Sequence, residues 1–286
     1  MNNILFFGAS SKLGVNWINN LLLENNRIFA NIHKNYLPQK KNLFQKKLKL
    51  DDQKKLLNYC KKNQISLIIN CIGLTNLDLC EKDKKLAKKI NCDIPNKICK
   101  LSKKLNIKFV HISTDMLFKG LSKKKYTESS KYNPINIYSK TKIEAEKKIK
   151  LYCKSLIIRT NFFGFSNKKN MTITDKIISE QKNNQISYLW KDVYFTPIYI
   201  KTLIYFTNLL IKKNKSGIYN IVSDEKISKY NFGLMILNRL LIKSRVIPTL
   251  FKKNKFTSRP KNMSLSNQKI KNLFFDDAKK FRLKNQ

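Results

Sequence analysis

The chain has few of the residues that usually bind metals or cross-link a protein. Its 286 residues include two histidines, His33 and His111, and six cysteines without a Cys-x-x-Cys pair, so the sequence predicts no metal site. Most of the cysteines lie in apolar stretches, as buried free thiols of a reducing compartment do. No apolar run approaches the length of a membrane span, and a predicted strand begins at once without a signal peptide. We therefore expect a cytoplasmic protein without a membrane partner.

Acidic residues are scarce: 18 Asp and Glu against 59 Lys and Arg give a formal net charge of +41. This charge raises the hypothesis of nucleic-acid binding. Only six of the 59 basic residues are arginine, however, so 53 are lysine, and they are spread through every segment. Recognition of phosphates and bases usually uses the planar guanidinium of arginine. We therefore expect no specific nucleic-acid partner, but a positive field that attracts small anions.

Glycine is rare, with seven residues in the chain, yet two of the seven bound one short segment, Gly8–Gly14. This segment follows an apolar run, Asn3–Phe7, and opens a helical pattern from Leu13 to Leu23. In a dinucleotide site the first glycine allows a tight turn, the last lets the helix pack closely, and helix N–H groups face the pyrophosphate. Ser11 stands where a middle glycine is usual, and it is small enough to permit close approach. The expected cofactor-binding residues of this turn are Gly8, Ser10, Ser11, Lys12, Leu13 and Gly14.

Short apolar runs alternate with helical patterns as far as Thr160. The alternation predicts an α/β protein with a Rossmann-like, doubly wound parallel sheet and right-handed crossovers. Within it we expect a solvated loop over Lys34–Lys49 that leads into a strand near Leu48, and one long helix over about Lys82–Leu105. After Thr160 the regularity falls, and the stretch Lys252–Ser264 is expected to be a loop.

The end of the second predicted strand decides how the ribose of a dinucleotide is held. NAD binders tend to place an acid there for the 2′-hydroxyl, whereas NADP binders place a base for the 2′-phosphate. Here the sequence reads Asn31-Ile32-His33-Lys34, with no acid. We therefore expect His33 and Lys34 to favour NADPH, with NADH as the alternative if Lys34 is only one more surface lysine.

Tyr138 and Lys142 are candidates for proton transfer because residues four apart share one face of a helix. A cation beside a phenol favours the phenolate and lowers the pKa of the phenol, so the tyrosine can give or take a proton near neutral pH. A lysine-rich chain produces Tyr-x-x-x-Lys by chance. The order of this pair, after the glycine turn and after Ser113-Thr114-Asp115, makes it a specific signal.

Further segments follow the same order along the chain. They are Asn70–Asp78 with Glu81 close behind, Val110–Gly120, Tyr126–Glu128, Pro134, Tyr138–Lys142, Ile158–Thr160 and Ser258–Leu265. Together they resemble the dTDP-4-dehydrorhamnose reductase family of extended short-chain dehydrogenases, over nearly the whole chain. Several motifs in order are more specific than any single one.

The resemblance implies an NADPH-dependent reductase of a 4-keto-6-deoxy nucleotide sugar, in deoxysugar or polysaccharide precursor synthesis. Tyr138 would protonate the substrate carbonyl oxygen as hydride arrives, and Thr114 would hydrogen-bond the same oxygen. Lys142 would hold the nicotinamide ribose and tune Tyr138. The resemblance also implies a loop that lines the cofactor and a set of substrate-binding residues. The loop comprises Asn70, Cys71, Ile72 and Gly73, and the substrate-binding residues are Asp115, Met116, Arg259 and Asn262.

At two positions that could border the substrate, the sequence differs from the family pattern. Met116 stands where the family often has Tyr, and Lys119 where it often has Asp, so the identity of the sugar stays open. His111 is expected to be a packed strand residue, and Arg259 has the alternative of a surface loop arginine.

Two other functions stay open. One is a sugar-nucleotide epimerase or dehydratase, which the missing acid after the second strand and Met116 after Asp115 disfavour. The other is a non-catalytic NADP-binding regulatory subunit, like the one that partners methionine adenosyltransferase. The intact set of Thr114, Tyr138 and Lys142 favours the enzyme.

The expected domains follow from the same resemblance. Residues 1–163 would form the dinucleotide-binding domain, with later segments at about 193–222 returning to it. Residues 164–286 would form mainly a smaller C-terminal substrate-binding lobe. The expected partner is the nucleotide-sugar substrate, and a homodimer is possible because such dimers are common in the superfamily.

Overall fold

The chain divides into two compact units. The structure is a computed structural model that describes residues 2–165, 172–243, 245–252 and 257–286. Unit 1 comprises Met1–Ser113, Ile137–Ile158 and Thr207–Tyr219, and unit 2 comprises Thr114–Asn136, Arg159–Phe206 and Asn220–Gln286. This division differs from the predicted one at residue 163, because the segment after Ser113 packs within unit 2. There a Cβ on Gly120 would lie 2.7 Å from Pro260, and Tyr126 forms a β-bridge with Leu265.

Unit 1 is built on a seven-stranded sheet with the order β7-β6-β5-β4-β1-β2-β3. Its strands are β1 Asn3–Phe7, β2 Arg27–Asn31, β3 Leu43–Lys46, β4 Leu67–Asn70, β5 Lys108–Ile112, β6 Ser155–Arg159 and β7 Gly217–Asn220. The pairs β1–β2, β1–β4, β2–β3, β4–β5 and β5–β6 are all parallel. The predicted Rossmann-like parallel sheet is confirmed.

Helices connect these parallel strands. They are α1 Lys12–Leu23, α2 Gln53–Lys62, α3 Leu77–Lys82, α4 Lys84–Lys88, a π-helix Lys89–Asp93, α5 Ile94–Leu105 and α6 Ile137–Lys150. Leu5, Ile68, Phe109, Ile149 and Ile157 belong to one buried apolar cluster. Parallel strands that are covered on both faces carry continuous apolar residues. This burial explains why short apolar runs marked most of the strands in the sequence.

One predicted element of unit 1 was wrong, and a second is helical with a local irregularity. The expected loop Lys34–Lys49 contains β3, which pairs with β2 at the edge of the sheet, and no strand forms near Leu48. Only Leu43 of this strand is buried, so its pattern lacks the apolar run of a central strand. The expected helix Lys82–Leu105 is confirmed from Lys84 to Leu105, and the π-helix within it contains Asn91, whose side chain bonds to Leu74.

Among the described residues, unit 2 contains short strands, four α-helices and two 3-10 helices. The strands are Phe162–Phe163, Ser187–Trp190, Tyr194–Phe195, Ile198–Tyr199, Ile227–Ser228 and Val246–Thr249. The helices are α7 Ile173–Lys182, α8 Ile200–Lys212, which continues into unit 1, α9 Lys229–Arg239, α10 Gln268–Leu273, and the 3-10 helices Phe275–Phe281 and Leu283–Asn285. Phe163, Phe195, Phe232 and Met263 are among the members of its buried cluster. Of the predicted loop Lys252–Ser264, residues 253–256 lie outside the described residues.

The cysteines are free thiols, and Cys60, Cys80, Cys92 and Cys99 are buried. Burial raises the pKa of Cys60 to about 12, so this thiol stays protonated. Within the described ranges, no three His, Cys, Asp or Glu side chains are placed to hold a metal ion. The helices of these ranges are also too short or too polar to cross a membrane.

Candidate active site

The turn between β1 and α1 allows only glycine at two positions. Gly8 has a φ of 78°, in the left-handed region, and a Cβ there would lie 2.7 Å from the carbonyl carbon of Cys71. A Cβ on Gly14 would lie 2.3 Å from the carbonyl oxygen of Gly8 and 2.7 Å from that of Ala9. The two glycines therefore keep the turn, α1 and the end of β4 in close approach.

Ser11 has a structural task that explains why a middle glycine is absent. Its side chain caps α1 by accepting a hydrogen bond from Gly14 N at 3.0 Å. The first-turn N–H groups of an α-helix have no acceptor inside the helix, so the N-terminus of α1 carries a positive potential. Ser10, Ser11 and Lys12 are partly exposed beside it, while Leu13 is buried. These features fit the pyrophosphate of a dinucleotide.

The segment after β2 begins beside the glycine turn. Asn31, the last residue of β2, is in register with Phe7, the last residue of β1. Ile32 is buried, whereas His33 and Lys34 are exposed. An exposed base next to the turn fits contact with a ribose phosphate.

The loop after β4 is held from inside unit 1. Asn70 is fully buried, its Oδ1 accepts a hydrogen bond from Ile72 N at 3.1 Å, and its Nδ2 lies 3.0 Å from His111 Nδ1. Asn70 therefore shapes the loop, and a contact of its amide with a cofactor stays a prediction. Cys71 and Ile72 are partly exposed and Gly73 is exposed, so the backbone of this loop is the part that can line a cofactor.

Asn91 positions the same loop, and the sequence analysis does not identify it. Its Oδ1 accepts from Leu74 N at 2.8 Å, and its Nδ2 donates to Leu74 O at 3.1 Å and to Thr141 Oγ1 at 3.3 Å. Asn91 is fully buried in the π-helix and therefore links the loop after β4 to α6. An asparagine in a lysine-rich helical stretch resembles a surface residue in the sequence, so no signal marked it.

Helix α6 carries a buried stripe of chemically active side chains. Glu81 Oε1 accepts a hydrogen bond from Ile137 N at 2.8 Å and so supplies an acceptor for the start of the helix. Tyr138, Lys142 and Glu146 are spaced by four residues and are 8%, 3% and 0% exposed. The predicted common face of Tyr138 and Lys142 therefore also contains a carboxylate.

Lys142 is held at the end of β5. Its Nζ donates to Ile112 O at 2.8 Å and lies 3.3 Å from His111 Nε2. Burial lowers the pKa of Lys142 to about 8, and the charge of Glu146 opposes this shift. Burial and the charge of Lys142 lower the pKa of His111, so His111 is a neutral, packed strand residue, as expected.

Glu146 is the second residue that the sequence analysis does not identify. Its carboxylate accepts a hydrogen bond from Ser113 Oγ, at the end of β5. The charge of Glu146 favours the ammonium form of Lys142, against the effect of burial. Its position four residues after Lys142 was a usable signal in the sequence.

Unit 2 begins with Thr114 and Asp115, which are 6% and 2% exposed. Thr114 Oγ1 donates to Asp115 Oδ1 at 3.3 Å and accepts from Met116 N at 3.2 Å. Asn161 Nδ2 donates to Asp115 Oδ2 at 2.7 Å. Burial raises the pKa of Asp115 to about 6, against the hydrogen bond from Asn161 and the charge of Lys229. The carboxylate of Asp115 therefore orients the hydroxyl of Thr114.

The predicted substrate residues Met116 and Arg259 lie on segments that Asn136 joins. Asn136 Nδ2 donates to Ser258 O at 2.8 Å and lies 3.5 Å from the sulfur of Met116. The guanidinium carbon of Arg259 lies 5.4 Å from the ring centroid of Trp190. This stacking gives the arginine a defined position, unlike that of a free surface side chain.

Asn262 has a structural position. It is 5% exposed, its Nδ2 donates to Ser122 O at 2.7 Å, and its Oδ1 accepts from Ser264 N at 3.1 Å. Both ends of its amide are used within unit 2. Asn262 therefore holds the loop next to Arg259, and its contact with the substrate stays a prediction.

Arg159 is structural as well. It is fully buried, its Nη2 donates to the hydroxyl of Tyr132 at 2.8 Å, and its Nη1 donates to Glu128 O at 3.2 Å. Glu128 Oε1 in turn accepts from Asn220 N at 2.9 Å. Glu128 and Arg159 therefore support unit 2 from inside.

Comparison with known proteins agrees with this geometry. Residues 1–286 match the family model described as RmlD substrate binding domain. The chain is 27% identical over 275 residues to the spore coat polysaccharide biosynthesis protein SpsK of Bacillus subtilis, covering 94% of this chain and 91% of SpsK. It is 24% identical over 287 residues to the dTDP-4-dehydrorhamnose reductase of Salmonella typhimurium, covering 95% and 92% of the two chains.

A solved structure extends the comparison to the fold. The dTDP-4-dehydrorhamnose reductase of Bacillus anthracis, in complex with NADP, matches with a TM-score of 0.82 and 25% identity, over 96% of this chain and 93% of that chain. The resemblance predicted from the sequence motifs is confirmed. The chain belongs to the RmlD substrate-binding-domain family.

Proposed function

We propose that the chain is an NADPH-dependent reductase of 4-keto-6-deoxy nucleotide sugars, acting on dTDP-4-dehydrorhamnose or a close relative. The observation that carries this proposal is the buried stripe of α6 with Tyr138, Lys142 and Glu146. An ammonium beside the phenol would favour the phenolate, and the charge of Glu146 favours the ammonium, so the three groups would form a proton-transfer set. Family membership supports the same function.

Unit 1 fits the cofactor. The segment Gly8–Gly14 would hold the pyrophosphate, Cys71–Gly73 would line the nucleotide, and His33 and Lys34 would contact the ribose phosphate. The two glycines support this assignment, because a Cβ at either position would enter the turn. When bound, NADPH supplies the hydride that converts a ketone into an alcohol.

Tyr138 would donate the proton to the carbonyl oxygen as negative charge develops there. Lys142, with a pKa of about 8, carries a charge at neutral pH and would stabilise the phenolate that remains. Glu146 keeps this charge in place although the site is buried. Lys142 would also contact the nicotinamide ribose, as the family resemblance implies.

Four predicted residues would hold the sugar nucleotide. Thr114 would hydrogen-bond the substrate carbonyl, and its present bond to Asp115 is long, at 3.3 Å, so the hydroxyl can be redirected. Asp115 and Met116 would border the sugar. Arg259 would contact the phosphates, since its guanidinium matches their geometry.

The direct test is NADPH oxidation with a panel of 4-keto nucleotide sugars that differ in base and in sugar. We expect oxidation with a dTDP-linked 4-keto-6-deoxy sugar and none with the corresponding 4-hydroxy sugar. Interconversion of sugars without net oxidation of NADPH would favour an epimerase. Tight NADP binding without turnover on any member of the panel would favour a regulatory subunit.

A further inference from the structure

Lys229 is a partly buried cation without a counter-ion in direct contact. Its Nζ lies 3.1 Å from the ring centroid of Phe195. This ammonium makes no hydrogen bond or ion pair with any other side chain in the part of unit 2 that the structure describes. A partly buried ammonium without an acceptor in this part of the protein has N–H donors available for a ligand.

Two charged groups face Lys229 from the segments around it. Asp115 lies near enough for its charge to raise the pKa of Lys229, and Arg259 lies near enough to lower it. Phe195 presents a neutral ring to Lys229. The carbonyl oxygen of Val193 accepts a hydrogen bond from the backbone N–H of Lys229. Two cations and one carboxylate leave an excess positive charge, which suits an anion.

The N-terminus of α9 adds to the positive potential around Lys229. Lys229 is the first residue of an 11-residue helix, α9, whose N-cap is Ser228. The positive end of a helix dipole favours anions near the first turn. Arg259 is held over Trp190, so both cations have fixed aromatic supports.

We propose that Lys229 is a substrate-binding residue that, together with Arg259, binds the diphosphate of the nucleotide sugar, a role that rests on the proposed function. Among the groups named above, Asp115 is the one acid that offsets the two cations. Because Asp115 also accepts the hydrogen bond of Thr114, the diphosphate and the catalytic hydroxyl share one electrostatic network.

The proposal predicts that a proton is taken up on binding. Burial lowers the pKa of Lys229, and a bound anion would raise it again. As the pH rises through the lowered pKa, the free lysine loses its charge, so the ligand must recruit a proton. By linkage, the dissociation constant should rise by up to about tenfold per pH unit above the lowered pKa.

The probe is dTDP-glucose, whose 4-hydroxyl prevents reduction and whose diphosphate diester keeps its charge across this pH range. Calorimetry from pH 6 to 9, in buffers of different ionisation enthalpy, gives affinity and proton uptake together. Lys229→Met should weaken binding by about 10- to 100-fold at pH 6, as expected for a lost charge-assisted contact. Lys229→Arg should bind the probe but take up fewer protons at pH 8, because arginine is always charged.

Lys226→Met is the matched control. Lys226 is an exposed lysine of unit 2 whose Nζ lies 4.9 Å from the ring centroid of Tyr194. Its loss should change the affinity less than about threefold, since exposed charges are screened. Full affinity and full proton uptake in the Lys229→Met protein would overturn the proposal while leaving the reductase function intact. If the unaltered protein binds neither dTDP-glucose nor UDP-glucose at any pH, the nucleotide-sugar function itself is wrong, and the role of Lys229 with it.

Discussion

Replacing Glu146 with Gln should move the alkaline limit of catalysis to lower pH. Glu146 is fully buried and its charge favours the ammonium of Lys142, whose pKa is about 8. Residues four apart on a helix have side chains roughly 6 Å apart. At an effective dielectric constant of about 20, that separation corresponds to roughly 3 kcal/mol between unit charges. Since one pKa unit equals about 1.4 kcal/mol, the limit should fall by about one to two pH units.

The sign follows from the chemistry of the pair. If the ammonium of Lys142 is required, turnover falls as pH rises through its pKa, and removal of a neighbouring anion lowers that pKa. The assay measures kcat/KM for NADPH-dependent reduction between pH 6 and 10. The apparent pKa of this profile belongs to the Tyr138 and Lys142 pair and not to either residue alone.

Ser113→Ala is the control for this experiment. It removes the hydrogen bond to Glu146 but leaves the carboxylate, so the limit should stay near pH 8. An unchanged pH profile in the Glu146→Gln protein, or an equal shift in both variants, would refute the electrostatic account of Lys142.

Two further predictions concern the cofactor site. Measured dissociation constants should show that NADPH binds at least several-fold more tightly than NADH. Lys34→Glu should reduce this preference for NADPH. Tighter binding of NADH by the unaltered protein would contradict the prediction. Gly14→Ala should lower the free energy of unfolding by about 1–3 kcal/mol and weaken NADPH binding, because the added Cβ would meet backbone oxygen atoms that cannot move aside. Gly73→Ala, whose Cβ would lie 3.7 Å from Asn91, is the control for stability and should unfold at the same denaturant concentration as the unaltered protein.

Local patterns in the sequence predicted the parts of the molecule that local rules govern. The glycine turn and the face of α6 follow from a tight-turn requirement and from helical spacing, both of which are confined to a few residues. The edge strand Leu43–Lys46 escaped prediction because only one of its side chains is buried. The strand with which it pairs, β2, is its neighbour in the sheet but is not contiguous with it in the sequence.

The missed site residues depend on tertiary contacts. Lys229 is one of 53 lysines, and nothing near it in the sequence shows that Asp115 and Arg259 lie close. Asn91 is likewise defined by its bonds to the loop after β4. Asn262 matched a family motif, but only the structure shows that its amide is used internally.

The central claim is that Tyr138 donates the proton. The most direct test compares the Tyr138→Phe protein with the unaltered protein in two measurements: steady-state turnover of a 4-keto nucleotide sugar and the dissociation constant of NADPH. General acid catalysis is typically worth about 10² to 10⁴ in rate, so turnover should fall by that factor while the dissociation constant stays nearly unchanged. Unchanged turnover would contradict the account, because the pairing of Tyr138 with Lys142 would then be an accident of a lysine-rich helix.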